Sequence, residues 1–122
     1  MEQARMRVIG MGLTSAATGA EVAAALAAAG RADLLAIPAL RAGHPALRDV
    51  ALPCRAIPEG AVAGIATPTQ SARILARFGC GSMAEAVALV ASRGRIITPR
   101  QSHGAVTWAV AEGPGPEEDA TQ

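Results

Sequence analysis

Met6-Arg7-Val8-Ile9-Gly10-Met11-Gly12, followed by Thr18-Gly19-Ala20-Glu21-Val22, is the stretch on which the fold turns. Met6 to Gly10 reads as a short strand entering a glycine turn at Gly10 to Gly12, and Leu13 to Thr18 as a loop of small and hydroxyl residues. Thr18 with Glu21 three residues later makes a capping box. Val22, Leu26 and Ala29 then recur at helical spacing until Gly30 stops the run, which predicts a helix over 19–29. Leu34 to Ile37, bounded by Asp33 and Pro38, is a continuous apolar run of strand length. A strand so soon after a helix is the βαβ rhythm of an α/β domain.

Outward from that unit the reading is uneven. Pro45 opens a helix expected to reach Ala51, and Leu52 to Ile57 reads as a strand kept near an edge by Pro53 and Pro58. Pro58, Gly60, Gly64 and Pro68 argue against long elements between residues 58 and 70. Ser71 to Phe78 reads as a helix with Ile74 and Phe78 on one face, and with Arg73 and Arg77 on another, solvated face. Ser82 and Glu85 form a second capping box, after which Met83, Val87 and Val90 follow a helical period up to Gly94. Arg95 to Thr98 is a strand stopped by Pro99, Gln101 to Gly104 a loop, and Ala105 to Ala111 a strand of strict alternation. In that last strand Val106, Trp108 and Val110 share one face, and the small opposite face would suit an overlying helix. Residues 113–122 hold two prolines and three acids and are expected to be a disordered acidic tail after a domain spanning 1–112.

At 122 residues the chain suits one domain, which buries roughly two-thirds of its unfolded surface and needs no disulfide or metal to hold it. Hydrophobic residues make up 51% and aromatics only 2%, so alanines bring helices close while Val, Ile, Leu and Met supply the volume. The net charge of +1 leaves no electrostatic footprint for nucleic acid. All eleven basic residues are arginine, the residue of bidentate carboxylate and phosphate contacts, although a compositional bias that also favours alanine accounts for the set as a whole. Cys54 and Cys80 stand in no metal-binding spacing and are expected to be core thiols. No apolar stretch is long enough to span a membrane and no signal peptide is recognisable, so a cytoplasmic location is expected.

Three segments carry polar groups of interest. The loop after the first strand offers backbone N–H groups at a helix start, with Gly10, Gly12, Thr14 and Ser15 as ligand-binding candidates. Ser15 stands where a dinucleotide fingerprint wants glycine, and no P-loop is present, so no cofactor is expected, and a plain glycine turn accounts for the same residues. Gly79-Cys80-Gly81-Ser82 is a second glycine-rich helix start, with Ser82 as its candidate. Arg100, Gln101, Ser102, His103 and Gly104 form the densest polar group in the chain, with Arg100 as a carboxylate fork. A solvated hairpin loop is the alternative. Ser102 and His103 are sequence neighbours and do not make a triad, so no catalytic residue is assigned. His44 reads as a surface loop residue.

Gly79-Cys80-Gly81-Ser82-Met83-Ala84-Glu85-Ala86 resembles G-x-G-S-[VM]-A-E-A, and Thr98-Pro99-Arg100-Gln101-Ser102-His103-Gly104-Ala105-Val106-Thr107 resembles V-P-[KR]-Q-[KRS]-x-G-x-V-T. Both patterns belong to the family of CobE and the C-terminal domain of CbiG. Val8 to Gly12, Thr18 to Val22, and Leu35 to Ile37 with the loop through Arg41 to Pro45 are similar to the family's opening units, so the resemblance covers about residues 6 to 111. It implies a three-layer α/β/α sandwich with a mixed sheet in a single domain, and a part in cobalamin (corrin ring) biosynthesis. It also implies a precorrin or other polycarboxylate tetrapyrrole as partner, with other corrin-pathway enzymes or a second copy of the chain as further partners. Proteins like CbiG open a lactone on a cobalt-precorrin-5A-like intermediate and release acetaldehyde, but carry additional N-terminal domains. This chain is expected to correspond to the stand-alone CobE form, with binding or handling of an intermediate as its task. Hydrolase or lyase activity is the alternative, with His103 or Glu85 as acid or base. The family often has Cys and basic residues after the first G-x-G, where this chain has Leu13-Thr14-Ser15-Ala16-Ala17. No cation remains in that loop, which shifts the expected carboxylate recognition to Arg100.

Overall fold

The first strand does not end at Gly10. In the computed structural model, which describes residues 5–116, β1 runs Met6–Leu13 and the expected glycine turn is extended strand. α1 (Gly19–Ala29) follows, then β2 (Leu34–Pro38), β3 (Cys54–Ile57), a single helical turn α2 (Glu59–Val62), α3 (Ala72–Phe78), α4 (Met83–Ser92), β4 (Arg95–His103) and β5 (Val106–Gly113). The five strands form one mixed sheet in the order β3-β2-β1-β5-β4. β1, β2 and β3 are parallel, and β5 runs antiparallel to both β1 and β4. The central position of β1 explains its nearly continuous burial from Val8 to Leu13.

The alternation along the strands sorts the core into two faces. Ile9, Met11 and Leu13 join Val106, Trp108 and Val110 beneath Val22, Ala25 and Ala29 of α1. On the other face Val8, Leu34 and Ala36 lie with Met83, Ala86, Val87 and Ala91 of α4, and with Val62 of α2. This is the expected α/β/α sandwich. The small face of β5 does lie on the α4 side. Gly10 shows why: it sits between Ala36 and Ala109 in the sheet, and a Cβ there would strike the Ala84 carbonyl and come within 2.7 Å of the Ala88 Cβ. α4 therefore rests on β1 at backbone contact, and alanine in place of larger residues is what allows it.

Each main helix begins on a hydroxyl cap. Thr18 accepts from the Glu21 N–H, and the Glu21 carboxylate accepts the Thr18 N–H at 3.0 Å, the expected capping box. Its other oxygen accepts the Ala105 N–H at 3.2 Å, so the helix start also holds the β4–β5 hairpin. Ser82 accepts from the Glu85 N–H at 3.3 Å, but the Glu85 carboxylate turns elsewhere and the second box is half made. α3 is capped by Ser71 and closed by Gly79 at φ 81°, in the left-handed region that favours glycine.

Several sequence expectations need correction. Pro99 does not stop β4. The strand passes through it because β4 lies at the sheet edge, with register shifts between Ile96 and Thr98 and between Thr98 and Gln101, where a missing N–H breaks no ladder. Gln101, Ser102 and His103 are consequently strand residues, and only Gly104 and Ala105 form the turn. The helix expected over 45–51 is a single 3-10 turn, Pro45–Leu47, and Cys54 is exposed on the short edge strand β3, whereas Cys80 is buried. Gly113 closes β5, and the Gly115 N–H donates to the Ser92 carbonyl at 2.9 Å, so residues 113–116 are tied to the domain. The rest of the expected tail, 117–122, lies outside the described residues.

Two outcomes follow from these contacts. Gly10→Ala should destabilise the protein by about 1–3 kcal/mol, read from the urea midpoint at unchanged slope, because the obstacle is backbone and a swing of a side chain cannot relieve it. The Glu21 carboxyl is held below its ordinary value, first by the Thr18 N–H and then by the Ala105 N–H, with burial opposing both. A depressed carboxyl pKa contributes stability above the unfolded value and loses it as pH falls through the folded one. The Ala105 amide resonance should therefore titrate below the normal glutamate range of about 4.3, and Glu21→Gln should abolish that transition. Persistence of the transition in the variant would show that another acid holds the hairpin.

Candidate functional site

β1 is the strand at which the chain changes direction across the sheet: β2 and β3 step away on one side, and β5 and β4 occupy the other. Open α/β sheets bind ligands beyond the carboxyl ends of strands at such a reversal. A cleft of about 250 Å³ opens there, between the end of β1, the start of α4, the hairpin and α3. Leu13, Met83, Ile74 and Phe78 give it an apolar lining, and Leu40 forms an exposed apolar part of its rim.

Four arginines surround that lining: Arg41, Arg73, Arg77 and Arg100. Arg41 donates from Nε to the Leu13 carbonyl at 2.9 Å, which fixes its guanidinium at the end of β1. Arg73 and Arg77 come from successive turns of α3, and the Arg77 guanidinium lies 4.8 Å from the centre of the Phe78 ring, a cation–π contact. Arg100 comes from the opposite wall, on β4. Among the described residues the ion pairs are Arg5 with Glu112 and Arg31 with Asp33, so none of the four cleft arginines is neutralised by a carboxylate. Unneutralised guanidinium groups over an apolar shelf suit an anionic ligand with a hydrophobic body.

The expected convergence of three segments is seen for part of each. Gly12 and Thr14 from the end of β1, Ser82 at the start of α4, and Arg100 on β4 all line the cleft. Gly10 does not, because it is sealed beneath α4. Ser15 is not part of the lining; its carbonyl lies 3.1 Å from His44 Nε2 while His44 Nδ1 accepts the Ala46 N–H, so His44 is a brace between loops. Gln101, Ser102 and His103 extend along the exposed edge strand beyond the cleft, and Gln101 donates to the Pro99 carbonyl. Gly104 is a turn residue at φ 62°, with the Glu21 carboxylate packed where a side chain would go.

The two groups considered for acid–base work also stand outside the lining. His103 is exposed on β4. Glu85 is fully buried, with Oε1 accepting from the Thr69 N–H and hydroxyl, both at 3.0 Å, and Oε2 accepting the Arg100 N–H at 2.7 Å. Sequence reasoning missed Arg41, Arg73 and Arg77. The i, i+4 spacing of the last two was visible, but spacing defines a helix face without saying what that face meets. Among the described residues no group of three metal-ligating side chains is assembled, and no single helix is long and apolar enough to cross a membrane.

The comparisons with known proteins agree with this architecture. The chain matches the family described as Cobalamin synthesis G C-terminus over residues 7–111. It is similar in fold to the crystal structure of CobE, a protein from the cobalamin (vitamin B12) biosynthetic pathway, with a TM-score of 0.73, 22% identity and 96% of each chain covered. It is also similar to the cobalamin biosynthesis protein chiG from Agrobacterium tumefaciens, with a TM-score of 0.61 and 26% identity over 86% of this chain and 96% of that one. No curated protein matches significantly. With most of its length inside the family's bounds, the chain belongs to the Cobalamin synthesis G C-terminus family, a family of cobalamin biosynthesis.

Proposed function

We propose that this protein binds a polycarboxylate tetrapyrrole, a precorrin or a later corrin intermediate, at the arginine-lined cleft. The observation that carries the reading is the set Arg41, Arg73, Arg77 and Arg100 around an apolar lining, at the reversal point of the sheet. A corrin precursor presents acetate and propionate groups around the rim of a flat, apolar ring, so one edge of it offers both features. At about 250 Å³ the cleft is smaller than the roughly 300–1,000 Å³ of sites that enclose a drug-sized ligand. It would take one carboxylate-bearing edge of the macrocycle and leave the remainder outside.

Binding is favoured over lactone hydrolysis because the candidate acid–base groups are absent from the lining. Glu85 spends both oxygens on internal donors, and His103 lies beyond the cleft. A ring edge left outside would be open to another corrin-pathway enzyme or to a second copy of this chain, which suits handling and transfer of an intermediate. We place this work in the cytoplasm, where an exposed thiol such as Cys54 stays reduced.

Titration with hydrogenobyrinic acid, followed by its absorption spectrum, tests the reading. The spectrum should shift on binding, the affinity should fall with added salt, and Arg100→Ala should weaken binding about tenfold, the value of one charge-assisted contact near 1.5 kcal/mol. Arg73→Ala should weaken it to a similar extent from the other wall. A spectrum unchanged at high ligand concentration, or full affinity in both variants, would remove the proposal. Acetaldehyde released from a lactone-bearing precorrin by the isolated chain would favour the hydrolytic alternative.

A further inference from the structure

Arg100 and α3 stand on opposite walls of the cleft, yet one side chain is bonded both to Arg100 and to the segment that leads into α3. Glu85 Oε2 accepts the Arg100 N–H at 2.7 Å, and Oε1 accepts the Thr69 N–H and hydroxyl at 3.0 Å each. Thr69 lies two residues before Ser71, the cap of α3, and the Ser71 N–H is held in turn by the Gly81 carbonyl at 2.8 Å. We infer that Glu85 is the positioning residue of the cleft, setting the separation between Arg100 and the α3 arginines. This rests on the reading of the cleft as the tetrapyrrole site.

Two features make the position of each wall depend on this contact. Arg100 lies inside the register shift between Thr98 and Gln101, where the regular ladder to β5 is interrupted. Its N–H is satisfied by the carboxylate there, which fixes how the irregular segment sits over α4. α3, for its part, has no fully buried residue and meets the core through the half-buried Ile74 and Phe78, so its attachment points add to what fixes its position. Glu85 itself is fully enclosed on a helix that rests on β1 at backbone contact, and so it is a rigid reference for both walls.

The chemistry demands a glutamate. Three donors converge on the group, and a carboxylate is an acceptor at both oxygens. Glutamine would turn one oxygen into an NH2 group facing an N–H, either that of Arg100 or that of Thr69, and one wall would be released. A purely structural helix-start residue would cost stability when changed and leave the arginine spacing alone.

The test compares Glu85→Gln with Val87→Ala, which empties a fully buried core position of the same helix outside the cleft. Hydrogenobyrinic acid should bind Glu85→Gln at least tenfold more weakly than wild type, while Val87→Ala stays within twofold at an equal or larger loss of melting temperature. In the free protein, the Nε–Hε resonances of Arg73, Arg77 and Arg100 should move in Glu85→Gln and stay in place in Val87→Ala. Wild-type affinity in Glu85→Gln, or equal weakening in both variants, overturns the inference. If wild type itself does not bind, the tetrapyrrole reading fails, and positioning by Glu85 then stands or falls on the resonances alone. Should Glu85→Gln not fold, Thr69→Ala removes one donor of the same contact and must shift the α3 arginine resonances, or the inference is withdrawn.

Discussion

Everything in this domain depends on how closely α4 approaches β1. The core has almost no aromatic volume to hold layers apart, and at Gly10 the central strand offers no side chain at all. Ala84 and Ala88 sit directly on that gap. The helix is thereby brought to backbone contact with the strand, and its first turn lands beside the end of β1. Buried contact of this kind gains dispersion energy over many small atoms instead of a few large ones. The opposite face is conventional by comparison, with Trp108 and the branched residues filling the space beneath α1.

That placement decides where the polar residues go. Two glutamates, each at the third position of a helix, reach from opposite faces of the sheet to the same hairpin. Glu21 holds its turn at Ala105, and Glu85 holds its irregular strand at Arg100. Among the described residues, neither forms an ion pair with an arginine. Both are satisfied by N–H and O–H donors, and the arginines nearby keep their charge for something else. A protein that spent these arginines on internal ion pairs would gain little stability from such exposed pairs. Leaving them over an apolar lining gives the surface its chemical character.

The sequence was most legible where one residue type at one spacing admits one physical explanation. Thr18 and Glu21 could only be a helix start, and the alternation from Val106 to Val110 could only be a strand with one bulky and one small face. Ser82 was read correctly as a cap. Its partner Glu85 was not fully read, because a carboxylate can return to its own cap or reach across to another element, and the choice depends on what lies within reach. Pro99 misled for a similar reason: proline ends a central strand but is tolerated at an irregular edge, and edge position is a property of the whole sheet.

By itself, then, the sequence determined the α/β class, the helix starts and the alternating last strand, since each follows from local conformational preference or short-range periodicity, whereas Arg100 became a candidate through its polar neighbours and the family resemblance. Only the tertiary structure decided that Gly10 is a packing surface, that the exposed Arg73 and Arg77 border a cleft, and that His103 lies outside it. Those outcomes depend on which surfaces residues far apart in the chain present to one another. A helical or strand period specifies a face; the close packing of α4 on β1 specifies what that face meets.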